Sequence, residues 1–517
     1  MAAVRNIVNQ SSFPAPYILF GPPGTGKTST LAEAIGQIYH QRPKENVLVA
    51  ATSNFAANEL TNRLLGVVPD DAIFRFFSKS CTRKVDEFDN EVLEVSNLNG
   101  RIYQRLCYED IYQSRVVVCT LATAGRLNQA RIAAKHFSYV FIDECGSAKE
   151  ISALIPIAGI ATFGGEVTAS VVLAGDPRQL GPVIMYDYLS HSSQSRSMLD
   201  RLIDHGLYAK SPETGEYNRQ VITQLRDNFR SHTAILQYSN KTFYEARLRA
   251  KASPEVSGWA LGWSVLPNQN FPIIFHPLVG KSLQDKNSTS LYNEVEADQV
   301  MWYIRKILAE GINGREFKQT DIGVISPYAL QVAHLKSRFR EPKWADIEIG
   351  SVEQYQGREK PIIIVSTVRT RTKCVGFLSD VKRLNVTLTR AQALMIIVGD
   401  PSTLGNDPHW KEFIKYCRVN RALVKPTEPA VAPANQANKK KQKPKENPPK
   451  QAAKKKPNVV KKVASIPAKP VPVNNNARKI EEALSSQLAH SQHKLSTSAP
   501  EQKKLFVTEP KQSNCAL

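Results

Sequence analysis

The chain has 517 residues, 42% apolar and 22% charged, a composition that excludes a wholly disordered protein and is long enough for two to four domains. Its net charge of +21 points to a polyanionic partner. However, residues 425–517 hold 19 Lys and Arg against 6 Asp and Glu, so +13 belongs to that segment and +8 to the rest, and a nucleic-acid reading cannot rest on bulk charge. The seven cysteines (81, 107, 119, 145, 374, 417 and 515) form no Cys-x-x-Cys pair and no Cys/His cluster, which argues against a disulfide framework and structural zinc and for a reduced compartment. The opening residues lack the apolar core of a signal peptide.

In chain order, short apolar runs at 17–20, 47–50, 116–119, 139–142 and 171–174 read as buried strands, each ending in a small, polar or Gly-containing loop. The charged stretch from about 70 to 112 reads as a helical insertion. The longest apolar stretch, about 153 to 174, is broken by Gly159, Gly164, Gly165 and Glu166, so it reads as a helix, a loop and a strand, and no membrane insertion is expected. A second set of strands is expected at 221–224, 273–275, 322–325, 362–366 and 395–398, with helices at 232–244, 294–308 and 328–339. The pattern predicts an α/β protein with two parallel-sheet domains, 1–218 and 219–424. From 425 onward Pro, Lys, Ala, Asn and Gln dominate, and such a segment cannot bury enough apolar surface to offset its ordering entropy, so a disordered basic tail is expected. Its lysine runs suit sequence-blind RNA affinity, a nuclear import signal, or a solvated tail with no dedicated partner.

Ligands of doubly wound sheets bind beyond the carboxyl ends of the strands. The first such loop is Gly21-Pro22-Pro23-Gly24-Thr25-Gly26-Lys27-Thr28, which fits the Gly-x-x-x-x-Gly-Lys-[Ser/Thr] phosphate loop and lies between a strand and an amphipathic helix. Its glycines let backbone N–H groups turn toward phosphate oxygens, and the following helix N-terminus adds positive potential. Lys27 is expected to reach the β and γ phosphates and the Thr28 hydroxyl to ligand Mg²⁺. Asp143 and Glu144 end another buried strand, where two adjacent carboxylates are costly unless they hold a metal or pair with cations. Asp143 is placed to anchor the metal, and Glu144 to orient and deprotonate an attacking water.

These two elements, with Gly175-Asp176-Pro177-Arg178-Gln179-Leu180-Gly181-Pro182, Asn228-Phe229-Arg230-Ser231-His232, Gln356-Gly357-Arg358-Glu359 and Asn385-Val386-Thr387-Leu388-Thr389-Arg390-Ala391, resemble in order and spacing the motifs of superfamily 1 helicases over residues 17 to about 405. Within that superfamily the chain is similar to the Upf-like RNA helicases, and among them to the Armitage/silencing-defective branch, through Pro16-Tyr17-Ile18-Leu19-Phe20 and Val375-Gly376-Phe377-Leu378.

The resemblance implies two tandem RecA-like domains and an ATP-dependent motor moving 5′ to 3′ on single-stranded RNA. It makes Gln179 a γ-phosphate sensor, Arg230 and Arg390 paired arginine fingers, and Gly357 and Glu359 part of the ATP site. Thr52-Ser53-Asn54 and Cys119-Thr120 resemble strand-contact loops, and Pro327 and Thr367 are second-domain candidates; Ser53, Asn54, Thr120, Pro327 and Thr367 are therefore expected at the RNA, although Ser, Thr and Asn after a strand also cap helices. It further implies small-RNA silencing proteins as partners, a monomer, and a cytoplasmic location, with ribonucleoprotein granules or the nucleus as alternatives. Two other readings remain: an ATP-gated RNA clamp or scaffold with little unwinding, and a DNA helicase. The family's Gln-containing adenine-reading element has no counterpart upstream of Gly21, and Phe229 stands where a Tyr is usual, keeping an aromatic face for the base.

Overall fold

The computed structural model describes residues 1–425, apart from 106–107, 131, 134, 185–194, 287, 340–343 and 345. The basic tail expected from 425 onward thus lies outside the described residues, Lys425 excepted.

Seven strands form the first sheet: β1 (Tyr17–Phe20), β2 (Asn46–Ala51), β3 (Ile73–Phe76), β4 (Val116–Thr120), β5 (Phe137–Asp143), β6 (Ser170–Gly175) and β7 (Ile222–Gln224). They run parallel in the order β7-β1-β6-β5-β2-β4-β3. The second sheet holds β8 (Ile273–Pro277), β9 (Ile322–Ile325), β10 (Glu348–Gly350), β11 (Lys360–Ser366) and β12 (Ala391–Gly399), parallel in the order β8-β12-β11-β9-β10. Successive side chains of a strand enter opposite faces. Ile18 and Phe20 therefore join one core and Tyr17 and Leu19 the other, while Ile363 and Val365 are separated likewise from Ile362 and Ile364. Burial on both faces explains why these strands read as continuous apolar runs rather than alternating ones.

The helices that matter here are α1 (Ala2–Val8), α2 (Lys27–Gln41), α3 (Asn54–Leu65), α4 (Leu121–Gln129), α5 (Thr233–Phe243), α6 (Glu294–Glu310), α7 (Ala329–Arg338) and α8 (Val381–Leu388). The two sheets with their covering helices are two tandem RecA-like domains. Among the described residues no helix is long and apolar enough to cross a membrane.

Two expectations are corrected. The strand near 221–224 belongs to the first sheet, where Ile18 pairs with Ile222 and Phe20 with Gln224, so that sheet takes in chain beyond residue 218. Three residues carry no periodicity that could assign them to a sheet. The stretch 70–112 is no helical insertion: Ile73-Phe74-Arg75-Phe76, β-branched and aromatic, is the edge strand beside β4. Beyond it come short 3₁₀ turns at Lys79–Arg83 and Val85–Glu87, two one-turn helices, Asn90–Glu94 and Tyr108–Gln113, and a two-residue hairpin pairing.

Candidate active site

The phosphate loop leaves β1 at Phe20, and its first turn is pinned where the Gly21 N–H donates to the Gly175 carbonyl at the end of β6 (2.9 Å). Gly24 and Gly26 have φ of 65° and 77°, the left-handed conformation that glycine adopts without steric cost. At Gly24 there is also no room: a Cβ there would lie 2.4 Å from the Arg230 Cβ. The segment between β7 and α5 grips this loop, with the Asn228 amide donating to the Pro23 carbonyl (2.7 Å) and the Phe229 N–H to that of Gly24 (2.8 Å). A cavity of about 830 Å³ opens over the loop, lined by all eight of its residues together with Glu144, Gln179, Phe229, Arg230, Gly357, Glu359 and Arg390.

Lys27, first residue of α2, points back across the cavity floor to form an ion pair with Glu144 and lies 3.6 Å from Asp143. Burial would lower its pKa, but the two carboxylates outweigh that and raise it, so Lys27 is charged. Burial raises the Asp143 carboxyl against the pull of Lys27. For Glu144 the order is reversed: burial would raise it, and Lys27 holds it below the usual carboxylate range. Glu144 has φ of 54°, unusual for a residue with a side chain, and the turn is held where its own N–H donates to Asp143 Oδ1 (2.8 Å).

Two arginines face the loop, Arg230 from the segment between β7 and α5 and Arg390 from the position just before β12. Arg230 is ion-paired with Glu359 and donates to the Thr389 carbonyl (3.1 Å). Burial would raise Glu359, and the Arg230 guanidinium instead holds it low. Arg390 is 2% exposed; its Nη2 donates to Gln179 Oε1 (2.9 Å), and its other N–H groups reach the carbonyls of Val386, Tyr355 and Arg358 at 3.1 to 3.3 Å. Burial and the nearby Arg230 push its pKa down to about 9, which leaves it charged at neutral pH. Expected nucleotide residues from six separate stretches of chain thus line one cavity.

A second cavity of about 290 Å³ shares Thr28, Phe55, Glu59, Glu144, Gly357 and Arg358 with the first and adds Asp143 and Gln356. Thr28 and Asp143 bring a hydroxyl and a carboxylate to its lining, the kinds of oxygen donor a hard divalent cation takes. Two residues here had no assigned role: Gln356, which hydrogen-bonds Glu144, and Arg358, whose guanidinium sits 4.5 Å from the centre of the Phe55 ring.

The expected strand contacts divide. Ser53 and Thr120 are at the N-caps of α3 and α4, where their hydroxyls accept from Ala56 N (3.1 Å) and Thr123 N (3.3 Å). Asn54 is occupied at both ends, accepting from buried Arg75 (2.9 Å) and donating to Cys81 Sγ (3.4 Å). Pro327 is half-buried at the end of β9. Thr367 is a correction: it is 0% exposed, and its hydroxyl donates inward to the Val398 carbonyl (3.3 Å).

The chain is similar to known proteins over most of its length. Residues 194–402 match a family model described as an AAA domain, and residues 1–99 and 74–187 match a second model with the same description. The MOV-10 protein of Gallus gallus is 40% identical over 448 residues, covering 80% of this chain and 45% of that one. The mouse protein named RNA helicase Mov10l1 is 37% identical, covering 81% and 35%. The armi protein of Drosophila melanogaster is 30% identical, covering 81% and 38%. The chain spans less than half the length of these relatives.

Proposed function

Because the chain belongs to the Upf-like helicases of superfamily 1, related to Armitage, we propose that it is an ATP-dependent RNA helicase or translocase that hydrolyses ATP to move along single-stranded RNA. The observation that carries this reading is the pair Arg230 and Arg390 facing the Lys27 loop across one cavity. A site completed only when both domains meet makes domain closure depend on nucleotide, and cycles of closure are what move a strand. Small-RNA silencing proteins as partners and a cytoplasmic location belong to the same proposal.

Thr28 and Asp143 would hold Mg²⁺, which when bound neutralises charge on the β and γ phosphates. The chain's own residues account for the rest. Arrival of a γ-phosphate offers Lys27 a stronger partner than Glu144. Once Lys27 turns to it, the Glu144 carboxylate loses the cation that holds its pKa down and becomes the better base for a water. Arg390 and Arg230 then face the transferring phosphoryl group, a contribution of about 10³ to 10⁵ in rate for such fingers. Gln179, already bonded to Arg390, registers whether the γ-phosphate is there.

The test is steady-state ATPase of the purified chain, with and without single-stranded RNA, beside a Lys27→Ala form. Turnover stimulated by RNA and lost in Lys27→Ala is expected. Equal turnover in both forms refutes a motor built on this loop. Greater stimulation by single-stranded DNA than by RNA would favour a DNA helicase, and RNA-stimulated turnover without unwinding of a tailed duplex would favour a clamp.

A further inference from the structure

We propose that Tyr244 is a positioning residue that carries the state of the nucleotide site from Gln179 to α8, an inference that rests on the ATPase reading above. Tyr244 follows α5, a helix seated in two cores: Ala234, Ile235 and Tyr238 pack under the second sheet, while Leu236 and Tyr244 pack under the first. The ring is 1% exposed. Its hydroxyl donates to Asp176 Oδ2 (2.7 Å) and accepts from Asn385 Nδ2 (2.7 Å).

Both partners lead to the site. Asp176 Oδ2 also accepts from the Gln179 amide (2.9 Å), whose oxygen accepts from Arg390. Asn385, in α8, also donates to the Arg178 carbonyl (2.9 Å). Thr389 closes the circuit, its hydroxyl donating to the Asn385 carbonyl (2.7 Å) and accepting from Arg390 Nη2 (3.3 Å). Arg390, Gln179, Asp176, Tyr244, Asn385 and Thr389 therefore form one hydrogen-bonded ring, with Asp176 and Gln179 from the loop after β6, Asn385 on α8, and Thr389 and Arg390 between α8 and β12. A phosphate that draws Gln179 or Arg390 away opens the ring on one side, and the strain reaches Asn385 through the phenol.

The chemistry of the position selects a hydroxyl. The carboxylate only accepts and the Asn385 amide hydrogen only donates, so the group between them must do both. A rigid ring holds that hydroxyl in place, and burial beside the Asp176 carboxylate keeps its proton on by raising the phenol well above its ordinary pKa. Phenylalanine fills the same volume and does neither task.

The experiment uses the whole chain as wild type, Tyr244→Phe and Asn385→Ala, with Lys27→Ala as control. Amide hydrogen exchange is followed with and without a non-hydrolysable ATP analogue, alongside ATPase with and without single-stranded RNA. In wild type the analogue is expected to protect both 176–180 and 381–386. In Tyr244→Phe it protects 176–180 but no longer 381–386. RNA stimulation falls roughly tenfold, the loss expected for a hydrogen bond to a charged group, while the KM for ATP and RNA-free turnover stay within about twofold. Asn385→Ala reproduces this, and the double variant is no worse than either single one, as for residues acting in one path. Analogue protection of 381–386 in Tyr244→Phe equal to wild type overturns the proposal, as does a raised ATP KM with turnover lost equally with and without RNA. The exchange result needs neither RNA nor hydrolysis, so a wild type without RNA-stimulated turnover refutes the motor reading and leaves the role of Tyr244 decided by exchange.

Discussion

At the end of β5, Asp143 and Glu144 lie against Lys27, whereas in the first turn of α6 the fully buried Glu296 is held by neutral groups: Oε2 accepts from the Ser366 hydroxyl (2.7 Å) and the Val368 N–H (2.8 Å), and Oε1 from the Asn293 amide (3.1 Å). The two settings shift protons in opposite directions. Beside a cation, Glu144 stays ionised below the usual range; without one, burial outweighs the hydrogen bonds and pushes Glu296 up to about 8. The first arrangement is an exchangeable one, since an incoming phosphate can take the cation. The second is a clamp. It holds Val368, a β-branched residue at φ 70°, in a conformation it would otherwise avoid, and so shapes the loop leaving β11.

Removing the cation should make the first centre behave like the second. In Lys27→Met both carboxylates lose their paired cation, and leaving a buried pair half-broken costs about 3 kcal/mol. The sign with pH follows from proton uptake. Native Glu144 is depressed in the wild type, so its contribution is present above its unfolded pKa and lost as pH falls. In Lys27→Met both native carboxyls are raised, the folded state binds more protons than the unfolded, and stability falls as pH rises. The deficit against wild type should therefore grow between about pH 5 and pH 8. Denaturant unfolding at several pH values measures it, and a deficit that shrinks toward alkaline pH would refute the pairing.

Glu296 provides the complementary test. Burial raises its native pKa to about 8, above the ordinary carboxylate range, so its contribution is fully present below the unfolded value and is lost as pH rises toward 8. Between those limits stability should fall with a slope approaching about 1.4 kcal/mol per pH unit. Glu296→Gln mimics the protonated form and should flatten that slope, so that its stability relative to wild type rises through this window and levels off above about pH 8. Parallel wild-type and variant curves would mean that Glu296 is ionised throughout.

The same contrast explains what the chain order revealed beforehand. The phosphate loop was legible because its chemistry is contiguous: glycines, lysine and hydroxyl within eight residues, between a strand and a helix. Gln179, Arg230 and Arg390 needed motif order, since an isolated arginine says nothing of where it points. Glu296 looked like an ordinary acidic residue in the first turn of an amphipathic helix, because its burial is decided by the loop after β11, some 70 residues away. Tyr244 had no local mark at all, as both partners of its hydroxyl are distant in sequence. For β3 and β7, pairing with strands already in place decided their sheet, and four and three residues carried too little pattern to show it.

The smallest expected effect separates two kinds of hydroxyl among the expected strand contacts. Ser53 is exposed and caps α3, so Ser53→Ala should cost about 1 kcal/mol and remove the donor proposed to meet the strand. Thr367 is fully buried, and a Cβ added at Gly399 would lie 2.0 Å from its hydroxyl, so no strand can reach it in this conformation. Thr367→Val keeps the shape, and the Thr367 N–H still donates to the Val398 carbonyl (3.2 Å), so the loss should stay below about 1 kcal/mol. Single-stranded RNA affinity, titrated at fixed salt, should weaken in Ser53→Ala and be unchanged in Thr367→Val. The reverse outcome, weaker binding by Thr367→Val with its melting temperature intact, would mean that the loop after β11 turns Thr367 outward when RNA is bound, and that the Glu296 clamp on Val368 opens with it.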